Sequence, residues 1–180
     1  MASLSKPIVL VGLMGAGKST IGIRLGHALK LPFTDSDHEI EEAAGCSISD
    51  LFAIYDEEIF RDLEKRVIKR LLGKQNQILA TGGGAYMQEQ IRDMISKKAF
   101  TIWLRADLDV LLERVNRRDT RPLLAKGNKR KILLRLIKER YPLYEQADMI
   151  VDSGHGPHEN VVKTIIKRLR KEQPELLLES

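Results

Sequence analysis

The chain has 180 residues, enough to bury one substantial core and few enough for one unit, so a single domain over 1–180 is expected. Hydrophobic residues make up 43% and charged residues 31%, a globular profile that excludes a disordered chain. The net charge of +5 raises nucleic acid as a partner, but Lys and Arg concentrate in "KGNKRKILLRLIKER" and "KTIIKRLRKE", where apolar residues recur at three and four. Those runs read as the wet faces of two helices. Aromatics are 5% of the chain and do not interleave with them, so no nucleic acid partner is expected.

Cys46 is the single cysteine, so it can form no internal disulfide and joins no cysteine metal set. It reads as a packing residue in a reducing compartment. The N-terminal apolar run in "MASLSKPIVLVGLMG" is too short to span a membrane and has no cleavage site. A cytoplasmic protein with no membrane partner is expected, and a monomer, because no apolar stripe is left uncommitted.

Along the chain, strand and helix alternate. "PIVLVG" predicts a short buried strand, "KSTIGIRLGHAL" a helix, "LPFTD" a second strand, and "SDHEIEEAAG" a helix closed by Gly45. "SISDLFAIY" starts another helix, with Ser47 and Asp50 at capping-box spacing. "DEEIFRDLEKRVIKRLLG" carries Phe60, Leu63, Val67 and Leu71 on one stripe and stops at Gly73. "QILATGGG" and "AFTIWLRA" read as buried strands, "DLDVLLERVNRR" as a helix, and "KRKILLRLIKERYPLYEQ" as a helix beyond a loop. "DMIVD" is a last strand and "HENVVKTIIKRLRK" a closing helix, with "ELLLES" either a loose tail or a packed last turn. This alternation predicts an α/β fold, a parallel sheet covered by helices on both faces. Ligands in such sheets bind beyond the carboxyl ends of the strands, which directs attention to the loops after Val11, Asp35, Thr81 and Leu104.

The first of these loops holds "GLMGAGKST", residues 12 to 20, a complete G-x-x-x-x-G-K-[ST] motif between a strand and a helix. Gly15, Ala16 and Gly17 let backbone N–H groups curl around phosphates, and Lys18 brings positive charge to the β and γ groups. Ser19 offers a hydroxyl to Mg2+, and Thr20 continues the loop. The motif predicts ATP or a similar triphosphate but leaves the acceptor open. No N-K-x-D pattern reads guanine, which weakens a GTPase.

The second loop, "FTDSDHEIE", places Asp35 and Asp37 one residue apart at the end of a strand. Asp35 can reach Mg2+ through a water, and Asp37 points toward the space of an acceptor hydroxyl. The plainer alternative is that both carboxylates favour a helix N-terminus electrostatically. In "TGGGA", Gly82, Gly83 and Gly84 allow a ligand to approach backbone, although flexible turns also use such runs. Arg61 and Glu64 share a helix face at i and i+3, which from spacing alone reads as a surface ion pair. "RRDTRPLLAKGN", residues 117 to 128, reads as a basic lid or as an exposed basic loop. His155 and His158 lack a cluster of metal-binding partners in sequence and read as solvated loop residues.

Taken in order, "GLMGAGKST", "DSD", "FRDLE", "TGGGA", "RRDTRPLLA" and "ERYPLY" resemble the shikimate kinase family over residues 7 to about 152. The resemblance implies a three-layer α/β/α P-loop kinase fold with a five-stranded parallel sheet of order 2-3-1-4-5. It also implies a substrate-binding helical region near 35–65 and a lid near 114–128. It implies ATP-dependent phosphorylation of the 3-hydroxyl of shikimate with Mg2+. Carried onto this sequence, Asp37 is the candidate base and holds ring hydroxyls, while Arg61 and Arg140 bind the carboxylate beside Gly82, Gly83 and Gly84. Arg121 faces the ATP phosphates with Lys18, Ser19 and Asp35 surround the metal, and Phe52, Phe60 and Glu64 form the substrate wall. In "DSGHGPHE", the match gives no adenine-contacting residue, and the chain after Arg170 lies outside the resemblance.

Overall fold

The computed structural model describes residues 3–117 and 127–178. Five strands form a parallel sheet: β2 (Ile8–Val11), β3 (Phe33–Asp35), β4 (Ile78–Ala80), β5 (Phe100–Arg105) and β6 (Met149–Asp152). Their spatial order is β3-β4-β2-β5-β6. Counting only these strands in chain order, that is 2-3-1-4-5; a separate two-residue strand, β1 (Ser3–Leu4), shifts the labels by one. β1 pairs antiparallel with β7 (Leu177–Leu178), so the described part of "ELLLES" packs as a turn with Leu176 buried followed by a two-residue strand.

The central strand β2 reads Ile8, Val9, Leu10, Val11, and every one of these is fully buried. Successive side chains of a strand point to opposite faces, so burial of all four requires cover on both sides. The cover comes from α1 (Lys18–Leu29), α2 (Ser36–Ala44), α3 (Ile48–Ile54), α4 (Glu57–Leu71), α5 (Glu89–Lys98), α6 (Leu108–Asn116), α7 (Lys129–Tyr144) and α8 (His158–Glu172). α1 packs on α8, and α6 on α7. In α8 the apolar stripe Val161, Val162, Ile165 and Leu169 is buried while Lys163, Lys167, Arg170 and Lys171 stay exposed, the division expected from the basic run.

Local signals act as expected at several ends. The Ser47 hydroxyl accepts from the Asp50 N–H at 3.1 Å, and Gly45 closes α2 in the left-handed conformation. Two details differ. Helix α5, in "EQIRDMISKK", was not foreseen between the third and fourth sheet strands. In α4 the buried stripe runs Phe60, Glu64, Val67, Ile68, Leu71, with the carboxylate of Glu64 in place of Leu63, which is only partly buried. Cys46 is partly buried and packs against the core.

The chain winds from β2 out to β3, returns to β4 beside β2, then crosses to β5 and β6 on the other side. The winding reverses around β2, and the loops leaving the C-terminal ends of β2, β3 and β4 therefore meet at one edge. The expected lid near 114–128, and Arg121 with it, falls largely on 118–126, outside the described residues.

Candidate active site

The loop leaving β2 curls because Gly15 and Gly17 adopt φ of +82° and +93°, a region that side-chain-bearing residues rarely enter. Lys18 then opens α1, and no acidic residue occupies that helix's first turn to compete for an anion. The Lys18 ammonium is buried and folds back to donate to the carbonyls of Gly12 at 2.8 Å and Leu13 at 3.0 Å. Ser19 Oγ donates to Asp35 Oδ2 at 2.6 Å, so the two expected metal-site residues are in contact.

Asp35 serves two purposes at once. Its other carboxylate oxygen accepts from the Asp37 N–H at 3.0 Å and caps α2. The helix-start reading of the aspartate pair therefore holds for Asp35 without displacing its contact to Ser19. Asp37 lies in the first turn of α2 and turns toward the glycine loop after β4: a Cβ built on Gly82 would stand 2.6 Å from Asp37 Oδ1 and 3.2 Å from Glu64 Oε1. Only glycine fits under two carboxylates at that range.

The rest of the glycine loop meets two guanidinium groups. A Cβ on Gly84 would lie 2.8 Å from both Nη1 and Nη2 of Arg61, and one on Gly83 would lie 3.4 Å from Arg140 Nη1. Arg61 also donates to Glu64 at 2.8 Å and to Glu57 at 3.2 Å, so the ion pair read from spacing is present and is part of the cleft wall. Glu64 is 1% exposed; burial pushes its carboxyl up, opposed by Arg61 and reinforced by the nearby negative charge of Asp37. Gln88 completes its shell by donating at 2.7 Å. Phe60 is buried against Phe52, ring centroids 4.5 Å apart, with the Arg61 guanidinium 5.2 Å from the Phe60 centroid.

A cavity of about 520 Å3 joins the phosphate loop, the aspartate pair and the first two glycines of the glycine loop. Gly15, Gly17, Lys18, Ser19, Thr20, Asp35, Asp37, Gly82 and Gly83 line it. Ala16 is buried in the phosphate loop behind this lining, while Gly84, Arg61 and Arg140 stand beside the lining glycines. The cavity continues between the end of α6 and the loop after β6, past Glu113, Arg114, Arg117, His155, Pro157 and His158.

A shikimate kinase family model matches residues 14–170. The chain belongs to the shikimate kinase family. A shikimate kinase of Rhodopseudomonas palustris is 51% identical over 164 residues, 91% of this chain and 81% of its own. A solved shikimate kinase from Acinetobacter baumannii, in complex with shikimate, superposes with a TM-score of 0.90 at 34% identity, covering 93% of this chain and 94% of that one. A gluconokinase from Sinorhizobium meliloti reaches a TM-score of 0.65 at 18% identity over 97% of both chains, a likeness of fold alone.

Several residues of this shikimate kinase site were not visible in its sequence. Arg114 Nη1 donates to the carbonyls of Gly15 (3.1 Å) and Ala16 (3.3 Å) and to Ser153 Oγ (3.0 Å), and Nη2 to the Gly154 carbonyl (2.5 Å). Burial lowers the Arg114 pKa, and the fully buried Ser153 hydroxyl donates to Ala16 at 2.8 Å. Together they tie the phosphate loop to the loop after β6. Ser36 Oγ accepts from the Gly82 N–H at 3.1 Å and fixes the glycine loop from below. The two histidines also separate. His155 Nδ1 pairs with Glu113 at 3.0 Å and the His158 ring approaches Gly17, and among the described residues no group of three or more His, Cys, Asp or Glu is placed to hold a metal.

Proposed function

We infer that the enzyme transfers the γ-phosphoryl group of ATP to the 3-hydroxyl of shikimate, giving shikimate 3-phosphate and ADP in aromatic amino acid biosynthesis. The observation that carries this reading is one cavity lined together by the Lys18 loop, Asp37, Gly82 and Gly83, with Arg61 and Arg140 beside that glycine loop. One end suits a triphosphate, the other a hydroxylated carboxylic acid.

The roles follow from charge and reach. Gly15 to Thr20 cradle the phosphates by backbone N–H groups, and Lys18 exchanges its loop carbonyls for phosphate oxygens. Arg121 is assigned to the same phosphates from the lid at 114–128. Ser19 and Asp35 would hold Mg2+; two protein oxygens suffice because this ion keeps several waters and takes phosphate oxygens as well. When bound, the ion neutralises phosphate charge. Arg61 and Arg140 grip the carboxylate of shikimate, where a planar fork fits two oxygens. The helical region 35–65 presents Asp37, which orients the 3-hydroxyl and takes its proton; in a loose transition state that proton leaves late, so alignment and charge neutralisation do most of the work. Among the described residues no helix is long and apolar enough to cross a membrane. The reading extends to a monomer acting in the cytoplasm.

ADP release in the presence of shikimate, gluconate and a nucleoside monophosphate tests the assignment. Turnover is expected with shikimate alone; transfer to gluconate or the nucleotide with none to shikimate overturns it.

Arg61→Lys removes the bidentate fork while keeping the charge. The shikimate KM is expected to rise about tenfold, with the ATP KM within about twofold. An unchanged shikimate KM would leave Arg61 only its ion pairs with Glu57 and Glu64.

A further inference from the structure

Tyr144 closes α7 with its ring fully buried, 5.9 Å from Tyr86 and 5.7 Å from Trp103 between ring centroids. Only the Tyr86 contact is stacked, the Trp103 one being tilted, and a buried phenol in such surroundings needs a hydrogen-bond partner. It donates to the Gly83 carbonyl at 2.5 Å. Burial pushes its pKa up, opposed by the neighbouring Arg140 guanidinium, which lies within hydrogen-bonding reach of the phenol oxygen and is thus held beside it. This residue lies in no step of the chemistry described above, yet it touches the loop on which both guanidinium groups converge.

The peptide plane decides what that contact does. In a trans peptide the C=O and the following N–H point in opposite directions. With the Gly83 carbonyl held toward Tyr144, the Gly84 N–H points away from it, and among the described residues the amides of Gly83 and Gly84 donate to no backbone or side-chain acceptor. Beside this peptide stands Arg140 Nη1, a buried donor that has no hydrogen-bond partner among the described residues. A buried charged donor without an acceptor is costly, and a freely turning Gly83 carbonyl would be a close one.

We propose that Tyr144 is a positioning residue for the acceptor site. By occupying the Gly83 carbonyl it keeps that oxygen from Arg140 and holds the Gly84 amide outward, so that Nη1 of Arg140 and the Gly84 N–H remain available to a carboxylate that meets the Arg61 guanidinium on its side facing Gly84. The inference rests on the shikimate reading, and it concerns substrate affinity, not phosphoryl transfer. Tyr144 itself touches neither substrate.

Tyr144→Phe removes the hydroxyl and keeps the ring. The expected result is a rise of about tenfold in the shikimate KM, with kcat and the ATP KM within about twofold of native. With the methyl ester of shikimate, whose carboxylate charge is gone, native and variant should differ by less than about threefold. A purely structural role would raise both substrates' KM values or lower kcat, and either that result or an unchanged shikimate KM overturns the proposal. If the Phe variant does not fold, 4-fluorophenylalanine at position 144 fills the hydroxyl's volume without its proton, and the same outcomes decide. Absence of shikimate turnover by the native enzyme would instead overturn the shikimate reading and this inference with it.

Discussion

Asp37→Asn is expected to leave the protein folded and able to bind ATP and to lower turnover with shikimate by about 10² to 10⁴. The fold is spared because Asp35, not Asp37, supplies the carboxylate that caps α2. Asparagine has nearly the same volume, so the close approach to Gly82 is preserved. Removing the charge also relieves Glu64, whose buried carboxyl feels Asp37 as a neighbouring anion. What is lost is the capacity to hold the acceptor hydroxyl by a charged acceptor and to receive its proton. Calorimetric ATP titration, the thermal midpoint and ADP release separate these effects. A kcat within about threefold of native would remove Asp37 from the proton's path and leave it only a wall residue.

What could be read from the sequence was what is local in the chain. The phosphate loop, its strand and its helix lie within residues 8 to 29, and the pattern of glycines, Lys18 and Ser19 fixes their arrangement without distant partners. The glycine loop and the parallel sheet followed from the same strand–loop–helix grammar, while the order of the strands came from the resemblance to the shikimate kinase family. The positions that escaped are tertiary. Tyr144 meets Gly83 across 61 residues, Arg114 meets Gly15 across 99, and Ser153 meets Ala16 across 137. No periodicity announces such pairs, and an apolar stripe marks a tyrosine as core whether or not its hydroxyl has work to do. Arg61 shows the opposite case. Spacing predicted its pair with Glu64 correctly, and only the fold reveals that the Glu64 end is buried and that the Arg61 guanidinium lies against Gly84 of the glycine loop. Helix α5 was missed because its apolar positions, Ile91 and Ile95, are few among charged neighbours.

Lys18→Met is expected to reduce turnover by about 10² to 10³ and to weaken ATP binding while the chain stays folded. Methionine keeps the length and the apolar stem that the buried site surrounds, and removes the ammonium alone. The two loop carbonyls that accept from Nζ, on Gly12 and Leu13, then lose a charged donor. That loss strains the loop less than it strains the reaction. Negative charge collects on the equatorial oxygens of the transferring group, and an ammonium that has exchanged its loop carbonyls for phosphate oxygens when ATP binds needs no further reorganisation during transfer. The neighbouring side chains cannot substitute. Ser19 is engaged with Asp35, and Arg114, although it lines the same cavity, is committed to the carbonyls of Gly15, Ala16 and Gly154. The expected signature is therefore a fall in kcat together with a rise in the ATP KM, against a shikimate KM that changes little. Turnover within about tenfold of native would show that another cation, Arg121 first among them, carries the charge stabilisation assigned to Lys18.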